Sequence, residues 1–184
     1  MIEVRDAAIE DADALATAHI DGWRAGYRGV VPDEYLDAEE FASSRRDRWR
    51  AWTWQRIQDS HLFVVTIHGR VAGFAHAGAE EATPPETGAA DSGRGEIYGF
   101  YLHPSVWGSG GAPALMSRCE EFMRDEGYTS AVLWVLRDNP RARAFYEKAG
   151  WHYTGQDSTF TPSDPPGSSL PRVQYVVSQY EVRL

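Results

Sequence analysis

The sequence predicts a fold of the α/β or α+β class, built on one mixed β-sheet. Two patterns support this prediction. A strand at 96–102, a glycine-rich turn, a helix at about 112–126 and an apolar strand at 131–136 form a β-α-β unit, whose strands are expected to pair in parallel. Residues 61–67 and 70–77 are joined by a short turn instead, which indicates an antiparallel hairpin.

The N-terminal third of the chain is predicted to contain a strand and two helices. The strand occupies residues 2–5. The first helix begins at about Asp11, because apolar residues recur at helical spacing as far as Tyr27. Glycines and a proline then interrupt this pattern, and a second helix is predicted at about 42–58.

A loop, a helix and two strands are predicted outside the β-α-β unit. The stretch 80–94 is rich in proline, glycine and acidic residues and is expected to be a mobile loop. A short helix is predicted at 140–149, a strand near 151–155 and a last strand at 172–184. Gly99 lies in the middle of a predicted strand, where a glycine indicates a β-bulge.

Composition and charge limit the classes of protein to which the chain can belong. Its 184 residues, which suit a single domain over 1–184, include 18 Lys+Arg against 27 Asp+Glu, a net charge of −9. This balance argues against binding to nucleic acid or to an anionic membrane, because both require a cationic surface. No segment approaches the roughly 20 apolar residues of a membrane span, and no secretory signal is recognised. The single cysteine, Cys119, excludes an internal disulfide, so a cytoplasmic location is expected.

The most informative segment runs from Trp107 to Ala112, between a strand and a helix. Its glycines allow a sharp turn, and the first turn of the helix offers unpaired N–H groups that suit a phosphate. A plain strand–helix turn without a ligand is the alternative. The P-loop motif is rejected because no Lys-Ser or Lys-Thr follows the glycines. The dinucleotide motif G-x-G-x-x-G is rejected because Pro113 replaces its third glycine.

Four segments of the chain carry motifs that can be compared with known families. They are Trp107-x-x-Gly110-x-Ala112, Tyr101-Leu102-His103-Pro104, Asn139-x-x-Ala142-x-x-Phe145-Tyr146-Glu147-Lys148-x-Gly150-Trp151 and Trp23-x-x-x-Tyr27-x-Gly29-x-x-Pro32. Together they resemble the GNAT superfamily of acyl-CoA-dependent N-acetyltransferases. The corresponding family patterns are Q/R-x-x-G-x-G/A, Y-V-x-P, N-x-x-A-x-x-F-Y-x-K-x-G-F and W-x-x-x-Y-x-G-x-x-P.

The resemblance implies a GNAT-like fold, in which a mostly antiparallel sheet splays at one parallel strand pair and carries helices on both faces. It also implies acetyl-CoA as cosubstrate, no metal, and acetyl transfer to a primary amine by direct attack through a tetrahedral intermediate. The residues implied in cofactor binding are Phe100, Leu102, Trp107, Gly108, Ser109, Gly110, Gly111, Ala112, Asn139 and Tyr146. Trp107 replaces the family's Gln or Arg, and Ser109 stands where relatives often carry a basic residue, so the loop offers the pyrophosphate less charge.

Tyr146 and Glu96 are the catalytic residues that the resemblance implies. Tyr146 occupies the position of the general acid that protonates the departing thiolate, and a half-buried aromatic without a chemical role is the alternative. Glu96 stands where many relatives carry the base that deprotonates the amine, and an exposed strand-end glutamate is the alternative. The bulge at Gly99 is expected to direct an N–H group, such as that of Phe100, at the acyl oxygen. Asn139 is expected to cap its helix.

Neither a metal site nor a protein nucleophile is expected. The histidines lack the spacing of a known metal motif, and there is no cysteine cluster. Cys119 falls on the apolar side of its helix, where core packing is expected. His103 lies beside the glycine-rich segment 107–112, called the glycine loop below, where it either assists proton removal or is simply solvated.

The acceptor is expected to be a small-molecule amine or a peptide, bound by Trp23, Tyr27 and Arg28. Core packing is the alternative for the two aromatic residues. The acidic loop 80–94 would attract a cationic amine, such as a polyamine, an aminoglycoside or a peptide N-terminus, unless it is only a solvated loop. An acyl-CoA-binding module without turnover and an acyltransferase with a hydroxyl acceptor or a longer acyl chain remain alternative functions. A homodimer is compatible with the resemblance, because many relatives pair.

Overall fold

Seven strands in the described part of the chain form one β-sheet. The computed structural model describes residues 1–52, 60–81, 93–164 and 167–184. The strands are β1 (Ile2–Asp6), β2 (Ser60–Ile67), β3 (Arg70–Ala79), β4 (Gly95–Leu102), β5 (Ser130–Leu136), β6 (His152–Phe160) and β7 (Tyr175–Arg183). Their order in the sheet is β1-β2-β3-β4-β5-β7-β6.

The sheet is antiparallel except at its centre. Strand β4 pairs in parallel with β5, whereas every other neighbouring pair is antiparallel. The parallel pair is the β-α-β unit that the sequence predicts, and β2 and β3 form the predicted hairpin. The predicted fold class, a mostly antiparallel mixed sheet with one parallel pair, is therefore confirmed.

Helices cover both faces of the sheet. The helices α1 (Ala12–Gly26), α2 (Asp33–Asp37) and α3 (Glu39–Arg50) lie on one face, and α4 (Gly111–Asp125) and α5 (Pro140–Lys148) lie on the other. Each face buries its own apolar cluster against the sheet. Among the described residues, no helix is long and apolar enough to cross a membrane.

Helix α4 shows how the sequence pattern determines the packing. Leu115, Cys119, Phe122 and Met123 recur at helical spacing and are all buried against the sheet. Burial raises the pKa of the Cys119 thiol well above its usual range. The thiol therefore stays protonated at neutral pH, as the core-packing interpretation predicts.

Several boundaries differ from the predicted ones. Helix α3 begins at Glu39, before the predicted start, and ends at Arg50, and residues 53–58 of that prediction lie outside the described part of the chain. Strand β6 continues to Phe160, beyond its predicted end near residue 155. Its side chains are mostly exposed and show no apolar alternation, so the sequence does not reveal its length. The pairing of β6 with β7 defines the strand instead. Most of the predicted loop 80–94 also lies outside the described residues.

Candidate active site

The sheet opens between β4 and β5, and a cavity occupies the gap. The two strands pair over only three residues each, 95–97 and 131–133. Beyond these pairs lies a cavity of about 700 Å³, lined by β4, β5, the end of α1, the glycine loop, α4 and α5. Its volume falls within the range of small-molecule sites.

A β-bulge shapes the wall of β4. His76 of β3 pairs with Gly99, and the next residue, Ala77, pairs with Ile97, so Tyr98 is the extra residue. The predicted bulge is therefore present, immediately before Gly99. The hydroxyl of Tyr98 donates a hydrogen bond to the carbonyl oxygen of Ala79. Tyr98, Gly99 and Phe100 all line the cavity, because the bulge bends β4 away from β5.

The glycine loop brings the N-terminus of α4 to the cavity. Gly108 and Gly110 have φ angles of 81° and 94°, a left-handed conformation that favours glycine. Gly110 directly precedes the first residue of α4 and, being a glycine, has no side chain to cap the helix. Gly108, Gly110 and Ala112 line the cavity, whereas Ser109 and Gly111 are not part of its wall. The N–H of Gly111 donates instead to the Ser109 hydroxyl, at 3.3 Å.

Trp107 connects the glycine loop to both β4 and α5. Its indole Nε1 donates to the carbonyl oxygen of Leu102 at 3.1 Å. The guanidinium carbon of Arg141 lies 3.3 Å from the centre of the Trp107 ring, a cation–π contact. Partial burial lowers the pKa of Arg141. Arg141 was not predicted as a site residue, although it lies two residues after Asn139 within the matched α5 motif.

Helix α5 places Asn139 and Tyr146 at the cavity. The Asn139 side chain accepts the N–H of Ala142 at 3.1 Å, which is the predicted helix cap. Tyr146 is buried, with its ring edge-on to Phe145 and Phe100. Burial, reinforced by Tyr101 and Cys119, raises its pKa well above the usual range, so the phenol keeps its proton at neutral pH.

Glu96 is buried in β4 beside the cavity. Its carboxylate accepts the backbone N–H of Glu81 at 2.8 Å. Burial raises its pKa to about 7, and the nearby acidic residues Glu81 and Glu80 add to this shift. Ile97 and Tyr98, the next residues of the strand, line the cavity, but Glu96 itself does not. A water molecule or another group is therefore needed to relay a proton between Glu96 and a ligand.

A match to a protein-family model shows the family to which this chain belongs. A model described as the acetyltransferase (GNAT) family matches residues 25–151. The chain belongs to the GNAT family. YuaI of Bacillus subtilis, described as an uncharacterized N-acetyltransferase, is 30% identical to it over 141 residues, which cover 76% of this chain and 75% of that protein. The GNAT resemblance is thereby confirmed, and the protein is an acyltransferase of this type.

Solved structures share the GNAT fold along the whole chain. The PaiA N-acetyltransferase of Thermoplasma acidophilum, in complex with coenzyme A, has a TM-score of 0.71 and 19% identity, covering 100% of this chain and 99% of that one. YncA of Salmonella typhimurium, solved with its cofactor acetyl-CoA, has a TM-score of 0.64 and 17% identity, covering 100% of this chain and 94% of that one.

The three residues expected to bind the acceptor occupy different environments in the GNAT fold. Trp23 of α1 is 4% exposed and packs in the core against Tyr35 of α2 and Phe41 of α3. Tyr27 is half-buried and lines the cavity, and burial raises its pKa. Arg28 is exposed and pairs with Asp33 at 3.1 Å and Asp37 at 2.8 Å, away from the cavity wall.

The histidines of the described residues lie outside the cavity wall. His103 Nε2 lies 3.2 Å from a carboxylate oxygen of Asp21, and its Nδ1 contacts the Ser105 hydroxyl. Burial lowers the pKa of His19 to about 3 and that of His76 to about 4, so both are neutral at pH 7. In the part of the chain that the structure describes, no group of three or more His, Cys, Asp or Glu side chains is arranged to hold a metal ion.

Further residues of the GNAT cavity were not identified from the sequence as site residues. On one side they are Gly22 and Gly26 of α1, Tyr101 of β4 and Trp134 of β5, and on the other Glu120 of α4 with Arg141 and Lys148 of α5. Most of these residues belong to regular helices and strands, where residues of the same types are common. Only the splay of β4 from β5 exposes them to a common space, so no local pattern could have identified them.

Proposed function

We propose that this GNAT protein moves the acetyl group of acetyl-CoA to a primary amine of a small molecule or peptide, by direct attack through a tetrahedral intermediate. The observation that carries the proposal is the shared cavity, which both the glycine loop and Tyr146 line between the splayed strands. A helix N-terminus that suits a phosphate and a protonated acid thus line the same cavity. This combination suits acetyl transfer from an anionic acyl carrier. No cysteine lines this cavity, in keeping with direct attack.

The glycine loop is proposed to hold the pyrophosphate of the cofactor. Gly108 and Gly110 have the left-handed conformation that lets the backbone approach a ligand closely. The positive end of the α4 dipole favours an anion at this point. Phe100, Leu102, Asn139 and Tyr146 line the adjoining part of the cavity, where the pantetheine arm is expected.

Arg141 is proposed to supply the positive charge that Trp107 and Ser109 do not. Arg141→Ala is expected to weaken acetyl-CoA binding by about tenfold or more, because a hydrogen bond to a charged group contributes about 1.5–3 kcal/mol. Arg137→Ala is the control, since Arg137 is 48% exposed and does not line the cavity. Titration calorimetry measures both affinities. Equal affinity of Arg141→Ala and the wild type would contradict this role.

Tyr146 and Glu96 are proposed to move the two protons of the reaction. The Tyr146 phenol is protonated, donates its proton to the departing sulfur and regains one from the nitrogen of the tetrahedral intermediate. Glu96 is half ionised at about pH 7 and takes a proton from the ammonium through a relay. Because a base acts only when ionised, the activity attributed to Glu96 is present above its pKa and is lost below it.

The pH dependence of kcat/KM tests the role of Glu96. In the wild type, kcat/KM is expected to rise with pH through an apparent pKa of about 7. In Glu96→Gln this step disappears, and activity at pH 8 falls by about 100-fold or more. Glu121→Gln, on the exposed side of α4, is the control and keeps the wild-type profile. An unchanged profile in Glu96→Gln would assign the base to another group.

A further inference from the structure

The charged side chains that line the cavity all lie on one side of it. They are Glu120, Arg141 and Lys148, which belong to α4 and α5. In the described part of the chain, the wall formed by α1, β4 and β5 contains no Asp, Glu, Lys, Arg or His. The cavity therefore has a charged half next to the glycine loop, and an uncharged half, formed by α1, β4 and β5, on the other side.

Aromatic rings dominate the uncharged half. Tyr27, Tyr101 and Trp134 contribute to its wall. The Tyr27 ring packs edge-on against Trp23, with 4.7 Å between ring centres. The Tyr101 ring lies 5.5 Å from the ring of the buried Phe74. Because these neighbours pack in the core, they hold Tyr27 and Tyr101 in fixed orientations, and a flat apolar group can stack on rigid rings at little cost in entropy.

Gly26 leaves free space beside Tyr27. Apart from its two chain neighbours and the adjacent backbone of α1, a Cβ atom placed on Gly26 meets no atom within 4 Å, and the Gly26 backbone is helical rather than left-handed. Gly22, one turn earlier, differs because a Cβ there would lie 3.3 Å from the carbonyl oxygen of Leu102. Gly22 thus allows α1 to pack on β4, whereas Gly26 adds open volume to the cavity wall.

The described acidic residues of the loop 80–94, Glu80 and Glu81, do not contribute to this wall. Arg94 binds both carboxylate oxygens of Glu80, at 2.5 and 2.9 Å. Neither Glu80 nor Glu81 lines the cavity, and Glu86 and Asp91 lie outside the described residues. A second ammonium group, as in a polyamine, would lose its hydration in the uncharged half without gaining a carboxylate from the described wall.

We propose that the acceptor is a primary amine carried on an aromatic group, an arylalkylamine in chemical class. Its ring lies against Tyr27 and Tyr101, in the space that Gly26 leaves open, and Gly26 sets the largest ring that fits. The uncharged wall also favours the neutral form of the amine, which is the form that attacks. This inference rests on the proposed N-acetyltransferase function and adds the acceptor class to it.

A panel of amines tests the acceptor class. The wild-type protein, saturated with acetyl-CoA, is assayed for thiol release with phenethylamine, tryptamine, butylamine and spermidine. We expect kcat/KM for the two aromatic amines to exceed that for butylamine and spermidine by about tenfold or more, since an apolar pocket discriminates by this order. A preference for spermidine or butylamine would overturn the inference and leave the N-acetyltransferase function intact. Acetylation of none of the four amines would count against both.

Two matched leucine substitutions test the role of Gly26. Gly26→Leu is expected to lower kcat/KM for phenethylamine by about tenfold or more relative to butylamine, with the affinity for acetyl-CoA unchanged. Ala25→Leu adds the same side chain to the exposed face of the same helix and is expected to change neither value. The unchanged affinity shows that Gly26→Leu is folded. If the two variants discriminate among the amines equally, Gly26 does not set the acceptor size.

Discussion

Replacing Tyr146 with phenylalanine is expected to lower kcat by about 100- to 10,000-fold, the usual contribution of a positioned general acid. Tyr146 lines the cavity and its phenol is protonated at neutral pH, so the wild-type protein carries a proton at this position. Phenylalanine keeps the ring that packs against Phe100 and Phe145 but has no proton to donate. The measurement is single-turnover thiol release at saturating acetyl-CoA.

A second tyrosine separates chemistry from packing in this experiment. Tyr175 is also buried, with a raised pKa, but does not line the cavity. Tyr175→Phe is expected to keep the wild-type kcat, and Tyr146→Phe to keep the wild-type affinity for acetyl-CoA. If Tyr146→Phe retains full turnover, the proton reaches the sulfur from water or from another residue, and Tyr146 is a packing residue.

Replacing Gly110 with glutamate is expected to abolish binding of acetyl-CoA. The substitution places a negative charge where the pyrophosphate is proposed to lie and forces a side chain onto a φ of 94°. A Cβ atom at this position would also lie 3.3 Å from Ile2 Cδ1. Acetyl-CoA at about 100 times its Kd is expected to raise the Tm of the wild type by about 5–10 °C, and that of the variant not at all.

The matched control lies at the other end of the same helix. Gly127 follows α4, has a φ of 91°, and a Cβ atom there meets no atom within 4 Å. Gly127→Glu introduces the same backbone strain and the same charge far from the glycine loop. It is expected to lower the Tm of the free protein but to keep the increase caused by acetyl-CoA. A normal increase in Gly110→Glu would place the pyrophosphate elsewhere.

The elements that the sequence predicted best are those with a strong local pattern. The β2–β3 hairpin, the apolar strand β5 and the helix α4 each follow from the spacing of apolar residues and from glycine turns. The order of strand, helix and strand also predicted the parallel pairing of β4 and β5. The short helix α2 was missed, because five residues give too little periodicity to detect.

The candidate site was predicted only where a motif is continuous along the chain. The glycine loop and the Asn139 cap are local features, and the structure brings Tyr146 to the same cavity. The stacking of Arg141 on Trp107 joins residues 34 positions apart, and no pattern in the sequence links them. The roles of all these residues, and the single-domain organisation of residues 1–184, stay predictions.

Gly26 shows why the acceptor side is harder to predict than the cofactor side. In the sequence, this glycine indicates only the end of a helix. Its contribution to the cavity depends on the distance between α1 and β4, which is determined by the packing at Gly22. Because the wall of the uncharged half comes from three separate elements, its shape is a property of the tertiary structure.

Amine-dependent release of coenzyme A distinguishes an acetyltransferase from a module that only binds acetyl-CoA. The protein is incubated with acetyl-CoA, with and without phenethylamine, and free thiol and acetylated amine are measured in the same sample. The account predicts that both products appear together in equal amounts, and only when acetyl-CoA, amine and protein are all present. Stabilisation of the protein by acetyl-CoA, with no thiol release for this or any other primary amine, would contradict it and favour an acyl-CoA-binding module without turnover.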